Sequence, residues 1–185
     1  MNVVASPEIA RFPVLPCYNS RNAAEAFKCG ISYTSAPWII FCHQDVHFPL
    51  GSLAEIEKII ATVPKEDETT TVIGFAGLGP EKAGMVMDRG KLLDWPASDT
   101  AISIDEFCVI MHRDCKYKID PDLGWHLWAT DLCQQAIDDG HHAKIVRVLL
   151  HHNSTLDGLP HAFYVSAGLL KAKYPGRDLR SLNGV

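Results

Sequence analysis

The chain has 185 residues, enough for one domain with a real core and too few for two ordinary ones. Apolar residues make up 47% and charged residues 21%, with a net charge of −5, which argues against disorder and against a nucleic-acid duplex as partner. No apolar run is long enough to span a bilayer, and Met1–Glu8 carries no basic start followed by an apolar stretch, so neither a transmembrane segment nor a signal peptide is expected. Six scattered cysteines without a C-x-x-C pair disfavour a zinc ribbon and suit a reducing, cytoplasmic setting.

In chain order, residues 7–18 hold three prolines and read as irregular or edge structure ahead of a single domain. Ser20 reads as the N-cap of a helix over 22–31 that ends near Gly30. Trp38–Cys42 is a short continuous apolar run, the pattern of a strand buried on both faces. Ser52 and Glu55 form a capping box before a helix over 53–63. A second buried strand covers 71–77, and 85–95 reads as a hairpin or excursion around Asp88-Arg89-Gly90. A third strand lies at Glu106–Met111, and a helix opening at Asp122 or Gly124 runs to Asp138, stopped by Gly140. A fourth strand at 143–150 ends on His151-His152, and a last helix covers 162–173. Strands alternating with helices predict an α/β fold with a mostly parallel central sheet flanked by helices, whose ligands gather at the C-terminal ends of the strands.

Four places carry candidate chemistry. His43-Gln44-Asp45 follows the strand at 38–42; in an extended segment His43, Asp45 and His47 point the same way, which suits a divalent cation, and the same residues equally make a polar turn. His151-His152-Asn153 follows another strand and could complete that site, or be loop polarity. His141-His142 reads as a helix-end pair with no ligand role. Asp131, beside Trp125 and Trp128, is a partly desolvated carboxylate suited to a general base, or part of a solvated helix face. Asp105-Glu106 is either a substrate-binding pair or a strand-entry turn. The glycine-rich 74–79 is not G-x-G-x-x-G, and neither a G-x-S-x-G elbow nor a Walker motif is present.

Taken in succession, Arg21–Phe27, Ile40–Val46, Gly74–Gly77, Asp105–Ile110, Trp125–Cys133 and His152–Ser154 resemble the glycosyltransferase-like, family-2-related proteins with a GT-A fold, from about residue 19 onward. The resemblance implies a metal-dependent, inverting transferase that moves a sugar from a nucleotide-diphospho-sugar donor to an acceptor hydroxyl with Mn²⁺ or Mg²⁺. It implies Asp45 and His152 as metal ligands, His43 at the nucleotide in place of the first Asp of D-x-D, and Asp131 as catalytic base. Trp125, Trp128, Asp105 and Glu106 would then hold the acceptor. Such proteins usually begin with a nucleotide-binding strand and helix. The start of this chain therefore reads as N-terminally shortened, with segment 1–18 or a second copy of the chain covering the sheet edge. Two other readings use the same residues: a non-haem Fe(II) enzyme with His43, Asp45 and His152 as its two-histidine, one-carboxylate set, against which the alternation of strand and helix counts, and a non-catalytic binding or scaffold module.

Overall fold

The structure, a computed structural model, describes residues 2–154, 158–182 and 184. Among them are four α-helices, α1 (Ala23–Ser32), α2 (Ser52–Ala61), α3 (Trp128–Asp138) and α4 (His161–Lys173). The strands are β1 (Trp38–Cys42), β2 (Val46–His47), β3 (Val72–Gly74), β4 (Ala76–Leu78), β5 (Lys82–Asp88), β6 (Lys91–Asp94), β7 (Ser98–Ala101), β8 (Ser103–Ile104), β9 (Cys108–His112), β10 (Ala143–Ile145) and β11 (Leu150–His152). No helix among the described residues is long and apolar enough to cross a membrane.

The expected mostly parallel, GT-A-like sheet is not what forms. One sheet runs β1-β9-β3-β10-β7, and β9 lies antiparallel to both β1 and β3. Only β10 with β3 is parallel in it. A second sheet, β2-β11-β5-β4-β8 with β6 on β5, is mixed as well, and one of the two sheets curls into a half-barrel. The reason lies between β3 and β9. A parallel neighbour needs a crossover, usually a helix. Residues 75–107 supply none; they form strands β4 to β8, of which β7 already joins the far edge of the first sheet, and β9 then runs antiparallel to β3.

Several local expectations shift for local reasons. The first helix is capped by Asn22, whose side chain accepts from the Glu25 N–H at 2.8 Å, rather than by Ser20. The capping box at Ser52 does not form: Gly51, with φ +89°, is the N-cap, and the Ser52 hydroxyl donates to the Pro49 carbonyl. The run Thr71–Gly77 breaks at Phe75 into β3 and β4, which belong to different sheets. The hairpin expected at 85–95 is β5–β6, turning through Arg89 and Gly90, both at positive φ. The run 143–150 splits into β10 and β11, with His151 and His152 inside the second strand. The helix expected from 122 or 124 begins only at Trp128, because Gly124 and Leu127 both adopt positive φ and no helix continues through them. Trp38–Cys42, expected to be buried on both faces, is an edge strand, half-buried at all five positions.

The first sheet has a core on each face. Val109 and Met111 of β9 pack with Trp128, Ala129, Leu132 and Cys133 of α3. Cys108 and Ile110 face the other way, toward Leu53 and Ile56 of α2, Val46 and Phe75. The alternation along β9 follows from the two-residue period of a strand. Segment 2–12 closes the second core with Val3, Ile9 and Phe12. It is anchored where the Ser6 hydroxyl accepts the Phe48 N–H (2.9 Å) and Glu8 accepts the Gly51 N–H (3.0 Å). Gly84 illustrates how tightly β5 meets β4: a Cβ there would lie 2.0 Å from the Phe75 carbonyl oxygen, and φ is +102°. No other residue fits without moving the backbone.

Candidate metal centre

The two sheets join at the end of β1. The His43 N–H donates to the Phe107 carbonyl at 2.9 Å, extending the ladder one residue past Cys42. The chain then turns tightly, with the Val46 N–H reaching back to the His43 carbonyl. The Asp45 carbonyl accepts both the backbone and the side-chain N–H of Asn153 at 3.1 Å, pinning this turn to the end of β11. Because β2 pairs with β11 and β11 with β5, His152 sits opposite Val46 on one side and Asp88 on the other.

This register gathers His43, Asp45 and His152, each offering a ligand atom, all within 4.8 Å of one another. The Asp45 carboxylate oxygen Oδ1 is buried and has no hydrogen-bond partner among the described residues, a costly state for an anion. Burial is the largest influence on His43 and lowers its pKa, opposed by the nearby Asp105 and Asp45 charges; an uncharged imidazole is the form that ligates metal. His152 Nε2 lies 3.8 Å from Asp45 Oδ1, while Nδ1 lies 3.5 Å from Asp88 Oδ1. Its ring stacks on Phe107 with centroids 5.1 Å apart. One nitrogen toward a carboxylate that orients the ring, the other toward the ligand cluster, is the arrangement that metal-bound histidines adopt. Donor set, spacing and the orphaned oxygen all fit a divalent cation.

The neighbours of this cluster are a second set of acids. The Asp105 carboxylate accepts the Phe107 N–H at 3.2 Å. Glu106 Oε1 accepts the Leu127 N–H at 2.9 Å and lies 3.8 Å from His126 Nδ1. Burial, with Asp105 adding to it, pushes the Glu106 carboxyl up to about 8. Leu127 holds its N–H in place at a φ of +62°, a left-handed conformation rare for a leucine and of the kind stored at functional sites. His126 also lines a cavity of about 400 Å³ with Trp125, Arg21, Asp122, His161 and Ser166.

No protein-family model and no curated protein matches this chain.

The residues singled out by sequence divide into three groups. His43, Asp45 and His152 come together, with His43 as a third member of the ligand set rather than a group set apart for the nucleotide. Asp105, Glu106 and Trp125 stand next to them or to the adjoining cavity, Trp125 with 39% exposure. Trp128 and Asp131 are elsewhere. Trp128 is 2% exposed and packs on Phe41 at 5.3 Å, so it stacks on the core and offers no face to an acceptor. Asp131 is 0% exposed, and its oxygens accept from Tyr174 Oη (2.8 Å), Lys173 Nζ (2.9 Å) and Gln135 Nε2 (2.7 Å). A carboxylate so engaged ties α3 to the end of α4 and cannot reach an acceptor proton. His47 and His151 do not join the cluster either: they pair across β2 and β11 with ring centroids 5.6 Å apart, His47 hydrogen-bonded to Ser6. The turn at 43–45 is what breaks the alternation that would have aligned His47 with Asp45.

Asp88 was invisible as a site residue in the sequence. It looked like hairpin polarity, and only the β5–β11 register brings it to His152. Replacing Asp88 by Asn should weaken Mn²⁺ binding by about 10–100-fold, the usual effect of losing a carboxylate behind a ligand histidine. Calorimetric titration checks this, and an unchanged affinity would remove Asp88 from the centre.

Proposed function

We propose that the protein is a divalent-metal-dependent glycosyl transferase that moves a sugar from a nucleotide-diphospho-sugar to an acceptor hydroxyl, working in the cytoplasm with its six cysteines reduced. The observation that carries the reading is the convergence of His43, Asp45 and His152 around a buried carboxylate oxygen that has no hydrogen-bond partner among the described residues. The likeness of the motifs to glycosyltransferase-like proteins supplies the reaction class. The six cysteines are free thiols, in keeping with a reducing compartment.

His43, Asp45 and His152 would hold Mn²⁺ or Mg²⁺. A bound cation supplies charge neutralisation for a diphosphate leaving group. Glu106 takes the place first assigned to Asp131: its raised pKa makes it a base poised near neutrality, and it lies 3.8 Å from His126, which lines the cavity that Trp125 borders. In this scheme Glu106 accepts the acceptor's hydroxyl proton as that oxygen bonds to the anomeric carbon. The bond from that carbon to the diphosphate breaks, and configuration inverts. Trp125 provides the stacking face, and His126 a hydrogen bond to the acceptor.

The direct test is calorimetric titration with a panel of nucleoside diphosphates, with and without Mn²⁺. Binding that requires both the metal and His43, Asp45 and His152 is expected. Metal binding without any nucleotide binding would defeat the transferase reading.

The raised Glu106 pKa also predicts a pH effect on stability. The unfolded chain releases this proton near 4.5 and the folded chain near 8. Between those values the folded state binds more protons, so this group's contribution to stability is full below about pH 4.5 and is lost as pH rises to about 8. Denaturant titration of the metal-free protein should show that decline, and Glu106→Gln should flatten it. A slope identical in the two proteins would mean that Glu106 titrates normally.

A second reading is favoured by one observation. The ligand set sits on the turn after β1 and the end of β11, between two mixed, partly antiparallel sheets, closer to the setting of two-histidine, one-carboxylate iron sites than the expected helix-flanked parallel sheet. Tight Fe(II) binding that yields O₂ consumption, with no nucleotide binding, would select it.

A further inference from the structure

We propose that Cys42 and Cys108 form a reversible disulfide that acts on the metal centre, an inference that rests on the metal-binding reading above. The two residues are directly opposite on the antiparallel strands β1 and β9. The bonds from the His43 N–H to the Phe107 carbonyl and from the Arg113 N–H to the Pro37 carbonyl mark the odd-numbered positions of β1 as its hydrogen-bonded pairs. Cys42 opposite Cys108 is therefore a non-hydrogen-bonded pair. In such pairs the Cα atoms approach to about 4.5 Å and the side chains stand close on one face. That separation falls inside the roughly 4.4–6.8 Å that a disulfide spans, so the bond can close without moving the strands far. Both side chains pack into the same core.

Their exposure differs in a way that orders the chemistry. Cys42 is half-buried at the sheet edge, whereas Cys108 is fully buried. With a peroxide as oxidant, the Cys42 thiolate attacks one peroxide oxygen, giving sulfenic acid and, with a proton, water. The Cys108 sulfur then displaces the sulfenic oxygen. That forms the S–S bond and releases a second water, which carries away the thiol proton. Two sulfurs are oxidised, one peroxide is reduced, and a dithiol reductant reverses the change.

The position gives this bond its consequence. Cys42 immediately precedes His43, and Cys108 immediately follows Phe107. Phe107 in turn accepts the His43 N–H and stacks on His152. Closing the disulfide draws together the two strand ends that set the positions of two of the three ligands. A shift of supporting groups on this scale should lower metal affinity by roughly ten-fold.

The test uses the full chain carrying Cys29→Ser, since Cys29 touches Cys17 and lies on the same tryptic peptide as Cys42. After hydrogen peroxide treatment and alkylation, peptide mapping should find the Cys42 peptide linked to the Cys108 peptide. Mn²⁺ affinity should fall roughly ten-fold, and dithiothreitol should restore both. Cys42→Ser, and separately Cys108→Ala, should bind Mn²⁺ with an affinity that peroxide no longer changes. Failure of the two peptides to link overturns the proposal. A linked protein with unchanged Mn²⁺ affinity overturns the control of the centre. A reduced protein that binds no Mn²⁺ at all overturns the metal reading itself, and with it this control, whether or not the peptides link.

Discussion

Asp45→Asn should abolish metal binding and leave the fold intact. The side chain provides the only carboxylate in the three-residue ligand set, and its buried Oδ1 has no hydrogen-bond partner among the described residues. Removing the charge removes the ligand, so Mn²⁺ affinity should fall by on the order of 100-fold or more, beyond what a supporting residue costs. Stability of the metal-free protein should move the other way or not at all. An anion held without a donor is a liability in the apo state, and Asn relieves it while the backbone carbonyl keeps its two bonds from Asn153. Titration calorimetry and thermal melts on the same samples separate the two effects. A variant that loses several degrees of Tm while keeping its metal affinity would show Asp45 to be structural.

Asp131→Ala should do the reverse. Asp131 is fully buried and accepts from Tyr174, Lys173 and Gln135, which joins α3 to the C-terminal end of α4. Truncating one partner of a buried charged network typically costs about 3–5 kcal/mol; here the Tyr174 hydroxyl and a Gln135 N–H lose their acceptor, while Lys173 keeps Asp120 at 2.7 Å. Lys173 is more than a third exposed and can regain water, so the lower end, about 3 kcal/mol, is expected. At this chain length that corresponds to a fall in Tm of roughly 10 °C. Asp131→Asn, which still accepts from Tyr174, should lose less. Metal affinity should be unchanged in both. A stable Asp131→Ala protein would mean that the network contributes little, and the carboxylate would need another role.

These two carboxylates show where sequence reasoning holds and where it stops. Asp45 was legible because its argument is local. An apolar strand that ends in H-x-D places polar side chains at a sheet edge, and a second strand ending in histidine can meet it there. The resemblance implied His152, but the meeting itself came from register: on a strand, neighbours point to opposite faces, and the pairing of β11 with β2 and β5 turned His152 toward Asp45 and His151 toward His47. Asp131 was misread because flanking tryptophans describe a desolvated position without saying what desolvates it. The partners Lys173 and Tyr174 come from a helix more than forty residues later in the chain. Glu106 gained its raised pKa the same way, from burial with the Asp105 charge adding to it, while the Leu127 N–H works against it.

The sequence alone determined most of the secondary-structure elements, since their signals are short-range: the apolar run at 38–42, the hairpin around Arg89-Gly90, the helical spacing within 53–63, and the proline-rich start. It also marked His43, Asp45 and His152 as residues of interest. Strand direction, sheet membership and the final company of each charged side chain were decided only in three dimensions. A continuous apolar strand reads the same whether its neighbours run with it or against it, and an edge strand such as β1 can be as apolar as a central one. The antiparallel entry of β9 between β1 and β3 reversed the expected sheet. That same entry set Cys108 opposite Cys42 and Phe107 beside His43, and so shaped the centre on which the proposed function depends.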